Sequence, residues 1–150
     1  MKFRFIWVGK TKDVNLQALH DEYLGRLSHF IKCDVVVAKD GGSGGARESE
    51  SKRILDLLNP NGFVCVLDVK GRQISSSDLA ATIEKWQMRG LKEVTFVIGG
   101  AEGVSREVAE IADFSLSLSF LTFTHDMARV LLLEQLYRAF TIIKGFPYQK

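Results

Sequence analysis

The sequence is short of cysteine, of long apolar runs and of net charge, and each shortage excludes something. Its only two cysteines, Cys33 and Cys65, sit inside apolar stretches. There is no Cys-x-x-Cys, and no His/Cys group has zinc-site spacing, so neither a disulfide framework nor a structural zinc site is expected. Both thiols read as reduced core residues, because free cysteine is among the most buried residue types. That suits a reducing compartment. No uninterrupted apolar stretch approaches the ~20 residues of a membrane span; the longest candidate, Val130 to Leu133, is cut by Glu134. Met1-Lys2 leads directly into an alternating pattern, without the apolar segment and cleavage site of a signal peptide. A cytoplasmic protein is expected, or one that lies inside an organelle after import. The formal charge of +2 is far from that of an arginine-rich arm, so the balance permits nucleic acid as a partner without requiring it.

What is present is globular. Over 150 residues, 46% are hydrophobic and 25% charged, enough for one domain, residues 1–150, with its own core. Phe3, Phe5 and Trp7 alternate with Arg4, Ile6 and Val8, a period-two strand closed by Gly9. Leu16, Leu19, Tyr23, Leu27 and Phe30 then recur at steps of three and four. This is a helix with Asp13 or Asn15 as N-cap. Cys33 to Ala38 reads as a second strand, and Gly41 to Gly45 as a mobile surface loop. Arg47 to Leu58 is helical and ends at Asn59-Pro60-Asn61-Gly62. Phe63 to Leu67 is nearly all apolar, as a strand buried in a parallel sheet should be, and Asp68 to Ser76 reads as a polar loop. Leu79, Ile83 and Trp86 mark a helix with Gly90 at its end.

Val94 to Ile98 is a further apolar strand. Ser105 caps a short helix ending at Ala112. Ser115 to Phe120 alternates as a fifth strand, and Asp126 to Ile143 is the longest helix, stopped by Gly145 and Pro147. Strict β-α alternation predicts an α/β fold with a mainly parallel sheet flanked by helices. Ligands then bind at the carboxyl ends of strands. Attention therefore falls on the loops after Leu67, at Gly99 to Gly103, and at Phe120 to His125.

Gly99-Gly100-Ala101-Glu102-Gly103 joins a strand to a helix, where glycines permit a tight turn and close approach of main chain to a ligand. Geometry alone explains such glycines equally well. The spacing is not the dinucleotide Gly-x-Gly-x-x-Gly, which disfavours a nicotinamide enzyme. The stretch Ser117 to His125 offers hydroxyls and amides for a polar organic ligand, or simply a strand with Thr124 as a helix cap. The last helix has an apolar surface too broad for one face. Its second face is expected to meet another subunit, the alternative being a central helix within one chain. Glu134 and Arg138 have the spacing of a helical ion pair, and Arg129 and Arg138 are candidates for phosphate or base contact.

Taken in order, Val66-Leu67-Asp68 with Gly71, Ile98 to Gly103, Ser117-Leu118-Ser119, Thr122 to His125, Arg129 to Ala139 and Gly145-Phe146-Pro147-Tyr148 resemble the ribosomal RNA large subunit methyltransferase H family of the SPOUT superfamily. The resemblance spans essentially the whole chain. It implies an α/β knot, a deep trefoil near the C-terminus. It also implies S-adenosyl-L-methionine as cofactor, a homodimer completing each active site, and methylation of N3 of a pseudouridine in large-subunit (23S) rRNA on the assembled ribosome. No metal and no membrane enter. Carried over by position, the cofactor residues are Leu67, Gly99, Gly100, Gly103, Leu118, Ser119, Phe120, Leu121, Thr122 and Phe123. The catalytic candidates are His125, Arg138 and Tyr148, because loss of the imide proton calls for a base or a cation nearby. Arg129 and Lys150 fall on the substrate side.

One departure stands out. The family usually ends in Tyr-His and a basic residue, whereas this chain ends Tyr148-Gln149-Lys150, and a glutamine cannot titrate. A related enzyme with another RNA target, such as tRNA, a ribosome-associated protein that has lost catalysis, and a flavodoxin-type nucleotide binder are the competing readings; the last lacks the phosphate-loop signals.

Overall fold

The computed structural model describes residues 1–40 and 46–148. Residues 41–45, expected from sequence to form a surface loop, Gln149 and Lys150 lie outside the described residues. Strands and helices alternate throughout: β1 (Lys2–Val8), α1 (Val14–Ser28), β2 (Lys32–Ala38), α2 (Ala46–Leu57), β3 (Phe63–Arg72), α3 (Ser76–Met88), β4 (Glu93–Ile98), α4 (Arg106–Ile111), β5 (Phe114–Leu116) and α5 (His125–Lys144). The sheet runs β2-β1-β4-β3-β5, and each pairing is parallel.

The alternation in β1 sorts its side chains onto two faces. Phe3, Phe5 and Trp7 join Phe96, Leu79, Ile83, Trp86, Leu132, Leu136 and Phe140 in the larger core. Ile6 and Val8 join Val66, Val97, Ile54 and Val108 on the opposite face. With both faces covered, the central strands carry near-continuous buried apolar runs, Phe5 to Val8 in β1, Val64 to Val66 in β3 and Phe96 to Ile98 in β4, as parallel sheets favour. Helix starts follow the sequence. The Asp13 carboxylate accepts from the amides of Asn15 and Leu16 at 2.8 and 3.0 Å. Ser75, Ser105 and Thr124 accept in the same way for α3, α4 and α5. Asp13, not Asn15, is thus the first cap, and α5 closes on left-handed Gly145.

Three expectations are corrected. The strand beginning at Phe63 does not end at Leu67 but continues to Arg72, because Arg72 pairs with Leu116 of β5 across a register shift. The fifth strand stops at Leu116 rather than Phe120. The broad apolar surface of α5 is largely covered within one chain, since α5 packs against both α1 and α3, burying Val130, Leu132, Leu133, Leu136, Ala139 and Phe140. Breadth of that helix is therefore no argument for a second subunit.

Candidate functional site

The carboxyl ends of β3, β4 and β5 are neighbours in the sheet, and the loops leaving them enclose a cleft of about 650 Å³. That is within the range of small-molecule sites. One wall is the turn after β4. There the Gly103 amide donates to the Gly100 carbonyl at 2.9 Å, and Gly103 holds φ +76°, a conformation costly for any residue with a Cβ. A Cβ on Gly99 would stand 2.5 Å from the Gly103 carbonyl oxygen. The turn closes on itself only because position 99 is bare.

The opposite wall is the segment between β5 and α5. It is folded by its own hydroxyls: Ser117 Oγ donates to the Ser119 carbonyl at 3.1 Å, and the Leu121 amide donates to Ser119 Oγ at 3.0 Å. Such local bonds compete with strand pairing, which is why the Ser-Leu alternation does not extend β5. Leu67, Ile98, Leu116 and Leu118 give the cleft apolar surface; Asp68, Lys70, Glu102 and His125 give it charged and titratable groups.

Of the residues expected to hold a cofactor, Leu67, Gly99, Gly100, Gly103, Leu118, Ser119, Leu121, Thr122 and Phe123 all line this cleft. Phe120 does not: it is 68% exposed and outside the lining. His125 lies on the wall, with Nε2 3.4 Å from Asp126 Oδ1.

Arg138 and Tyr148 lie elsewhere. They share one acceptor: Glu134 Oε1 takes the Arg138 guanidinium and, at 3.2 Å, the Tyr148 hydroxyl. The Arg138 guanidinium lies 4.9 Å from the Tyr148 ring centroid, within cation–π range. Burial, a hydrogen bond with Tyr23 and the Glu134 charge push the Tyr148 phenol above its ordinary range. Arg138 lies thirteen helical steps from His125 on α5, about 20 Å at the rise of an α-helix. One chain therefore keeps the catalytic candidates apart.

Arg129, expected on the substrate side, is corrected. It is 0% exposed. Its guanidinium donates to the Val8 carbonyl at 2.6 Å and to Thr11 Oγ1 at 3.0 Å, sits 3.4 Å from Asp126, and lies over Trp7. Burial lowers its pKa and Asp126 opposes that. It ties α5 to the end of β1 and has no face left for a phosphate.

Sequence reasoning missed the contribution of α2. Arg47 lines the cleft and donates to the Val104 carbonyl at 2.7 Å, and Glu50 is buried against Gly100. Nothing local marks these residues, since their contacts span fifty residues or more. Among the described residues no group of three His, Cys, Asp or Glu side chains is placed to hold a metal, and no helix is long and apolar enough to cross a membrane.

Comparison with known proteins bears on this site. The family described as "Predicted SPOUT methyltransferase" matches residues 1–149. A ribosomal RNA large subunit methyltransferase H from Halothermothrix orenii is 43% identical, with 100% of both chains covered. One from Geotalea uraniireducens is 42% identical over 99% of each. Among solved structures, a probable methyltransferase from Bordetella pertussis superposes with a TM-score of 0.59 at 11% identity, covering 92% of this chain and 95% of that one. A probable methylase family protein from Haemophilus influenzae gives 0.58 at 12% identity, covering 99% and 70%. At those identities the superpositions speak for the fold alone.

Proposed function

The chain belongs to the SPOUT methyltransferase family, among the ribosomal RNA large subunit methyltransferase H proteins, and from that membership we propose that it methylates N3 of a pseudouridine in 23S rRNA on the assembled ribosome, using S-adenosyl-L-methionine. The observation that carries this reading is the cleft. Nine of the ten positions that the family resemblance assigns to the cofactor meet on its walls. Its apolar side chains suit a flat adenine, and its glycine turn presents main chain rather than a reactive side group. The bound cofactor supplies an electrophilic methyl carbon on a sulfonium. The protein's part is to hold donor and acceptor in line and to deal with the imide proton.

His125 is the titratable imidazole nearest that task in the same chain. Arg138 supplies a cation to steady an imide anion, and the Tyr148 hydroxyl stays protonated as a donor. Because Arg138 stands about 20 Å from His125 along α5 and Tyr148 is bonded to the same Glu134 as Arg138, the reading requires a homodimer in which one copy's Arg138 and Tyr148 reach the other's cleft. Phe120 and Leu121, 68% and 75% exposed beside the cleft, are surface that such a partner would cover. The reading includes the deep trefoil knot, a cytoplasmic setting, no metal, and Lys150 on the RNA side.

The test is transfer of labelled methyl from the donor to 70S particles, followed by mapping of the modified nucleotide by mass spectrometry. Label in one 23S pseudouridine, lost with Arg138→Ala and reduced with Tyr148→Phe, is expected. Label in tRNA, or near-normal turnover by both variants, would overturn it. Mixing a Gly99 variant with an Arg138 variant tests the shared site: partial recovery of activity is expected, and none if each chain works alone.

A further inference from the structure

Three polar residues on one face of α2, at i, i+3 and i+4, reach the glycine turn together. Arg47 donates to the Val104 carbonyl at 2.7 Å. The hydroxyls of Ser51 and Ser105 are 2.6 Å apart. Glu50, 7% exposed, puts its two carboxylate oxygens 2.8 and 3.1 Å from where a Cβ of Gly100 would be. The first two contacts would serve any turn that has to be held still. The third is of another kind. An ionised carboxylate is costly to bury, and a neutral side chain would fill the space equally well.

Position matters here. Gly100 lines the cleft, so one glycine stands between the Glu50 carboxylate and the ligand's space. Glu50 makes further interactions in the fold besides this one. The carboxylates on the cleft wall itself, Asp68 and Glu102, are at least partly open to water and correspondingly screened. Glu50, buried beside the turn, is less screened by water than either.

The chemistry of the reaction gives such a charge something to sense. The imide nitrogen, its proton passed to a base or to water, forms the N–CH3 bond; the C–S bond breaks, and its electron pair stays on sulfur. A donor of net charge +1 becomes a neutral thioether. We propose that Glu50 is a specificity residue that favours the cationic donor over the neutral product, acting across Gly100, and so helps spent cofactor to leave. This rests on the reading of the cleft as the S-adenosylmethionine site.

Calorimetry on the full chain with three probes tests it: S-adenosylmethionine, S-adenosylhomocysteine, and sinefungin, whose amine restores a positive charge at the methyl position. Glu50→Gln should weaken both cationic probes about fivefold more than the neutral one, the scale of one unit charge at intermediate dielectric. Ser51→Ala, which loosens the turn without changing charge, should weaken all three alike. Equal losses for the three probes in Glu50→Gln would remove the role given to Glu50 while leaving the cleft reading intact. If wild-type protein binds none of them, the cleft reading itself fails. Should Glu50→Gln not fold, Glu50→Asp keeps the charge and is expected to keep the wild-type ratio of cationic to neutral affinity; a ratio shifted toward the neutral product would overturn the proposal.

Discussion

A Cβ on Gly99 would sit 2.5 Å from the carbonyl oxygen of Gly103, so the turn that forms the cleft wall is locked by its own main chain before any ligand arrives. Gly99→Ala must therefore open the turn, and the clash is with backbone that cannot rotate away. The expected cost to stability is that of a local overpacking, about 1–3 kcal/mol, while donor binding by calorimetry falls below detection because the wall itself is displaced. Unchanged donor affinity in a folded Gly99→Ala protein would show that the turn is not part of the binding wall.

Arg129 provides a contrasting case. Its guanidinium is buried between Val8, Thr11, Asp126 and Trp7, and removing it takes the nearby cation from Asp126, which keeps the Lys12 amide at 3.3 Å, and takes a donor from the Val8 carbonyl. Breaking a buried charged pair in this way costs about 3–5 kcal/mol. Arg129→Met should lower the urea midpoint accordingly. At a temperature where the variant remains folded, its apparent affinity for ribosomes should match wild type. A stable variant with specifically weakened ribosome binding would restore Arg129 to the substrate side.

That contrast shows what could be read from the chain. The order of elements, the strand faces set by Phe3, Phe5 and Trp7, and the caps Ser105 and Thr124 follow from periodicity and local hydrogen bonding, and all appear in the structure. Less legible were features set by distant partners. The extension of β3 to Arg72 depends on Leu116, and the end of β5 depends on hydroxyls of Ser117 and Ser119 that favour a local turn over a ladder. An arginine on a helix looks the same in sequence whether it meets phosphate or lies beneath Trp7. The clamp from α2 joins residues fifty or more positions apart, where no pattern reaches. The cleft residues were legible through motif resemblance, because glycine turns and the Ser117–His125 stretch keep their spacing.

Glu134 should prove as sensitive as the groups it holds. One of its oxygens accepts from both Arg138 and Tyr148, so Glu134→Gln weakens the ion pair and loosens both donors at once. Small displacements of positioned groups cost on the order of 100-fold in rate. Single-turnover methyl transfer should drop by that order while donor affinity stays at the wild-type value, since Glu134 is not on the cleft wall. The Tyr148 phenol is held above its ordinary range, so Tyr148→Phe should lower the rate without moving the pH profile. A displaced profile would identify Tyr148 as the titrating base.

The two thiols give a pH test independent of catalysis. Burial pushes Cys33 up from 9.0 to about 11, with a hydrogen bond from Ser28 opposing and the Asp34 charge adding to the rise. Fully buried Cys65 is raised further by the same desolvation. A raised pKa means that the fold favours the neutral thiol. The unfolded chain loses its proton first as pH rises, and stability falls wherever the folded state holds more protons. The contribution of Cys33 is thus complete below pH 9.0 and disappears as pH climbs through about 11. Urea midpoints should decline across that window, and Cys33→Ala should flatten the decline without abolishing it, because Cys65 remains. Iodoacetamide at pH 8 should label Cys33 slowly and Cys65 only in denaturant, since the thiolate is the reacting form. Rapid labelling of native protein at pH 8, read by intact mass, would mean that neither thiol is held as the packing requires.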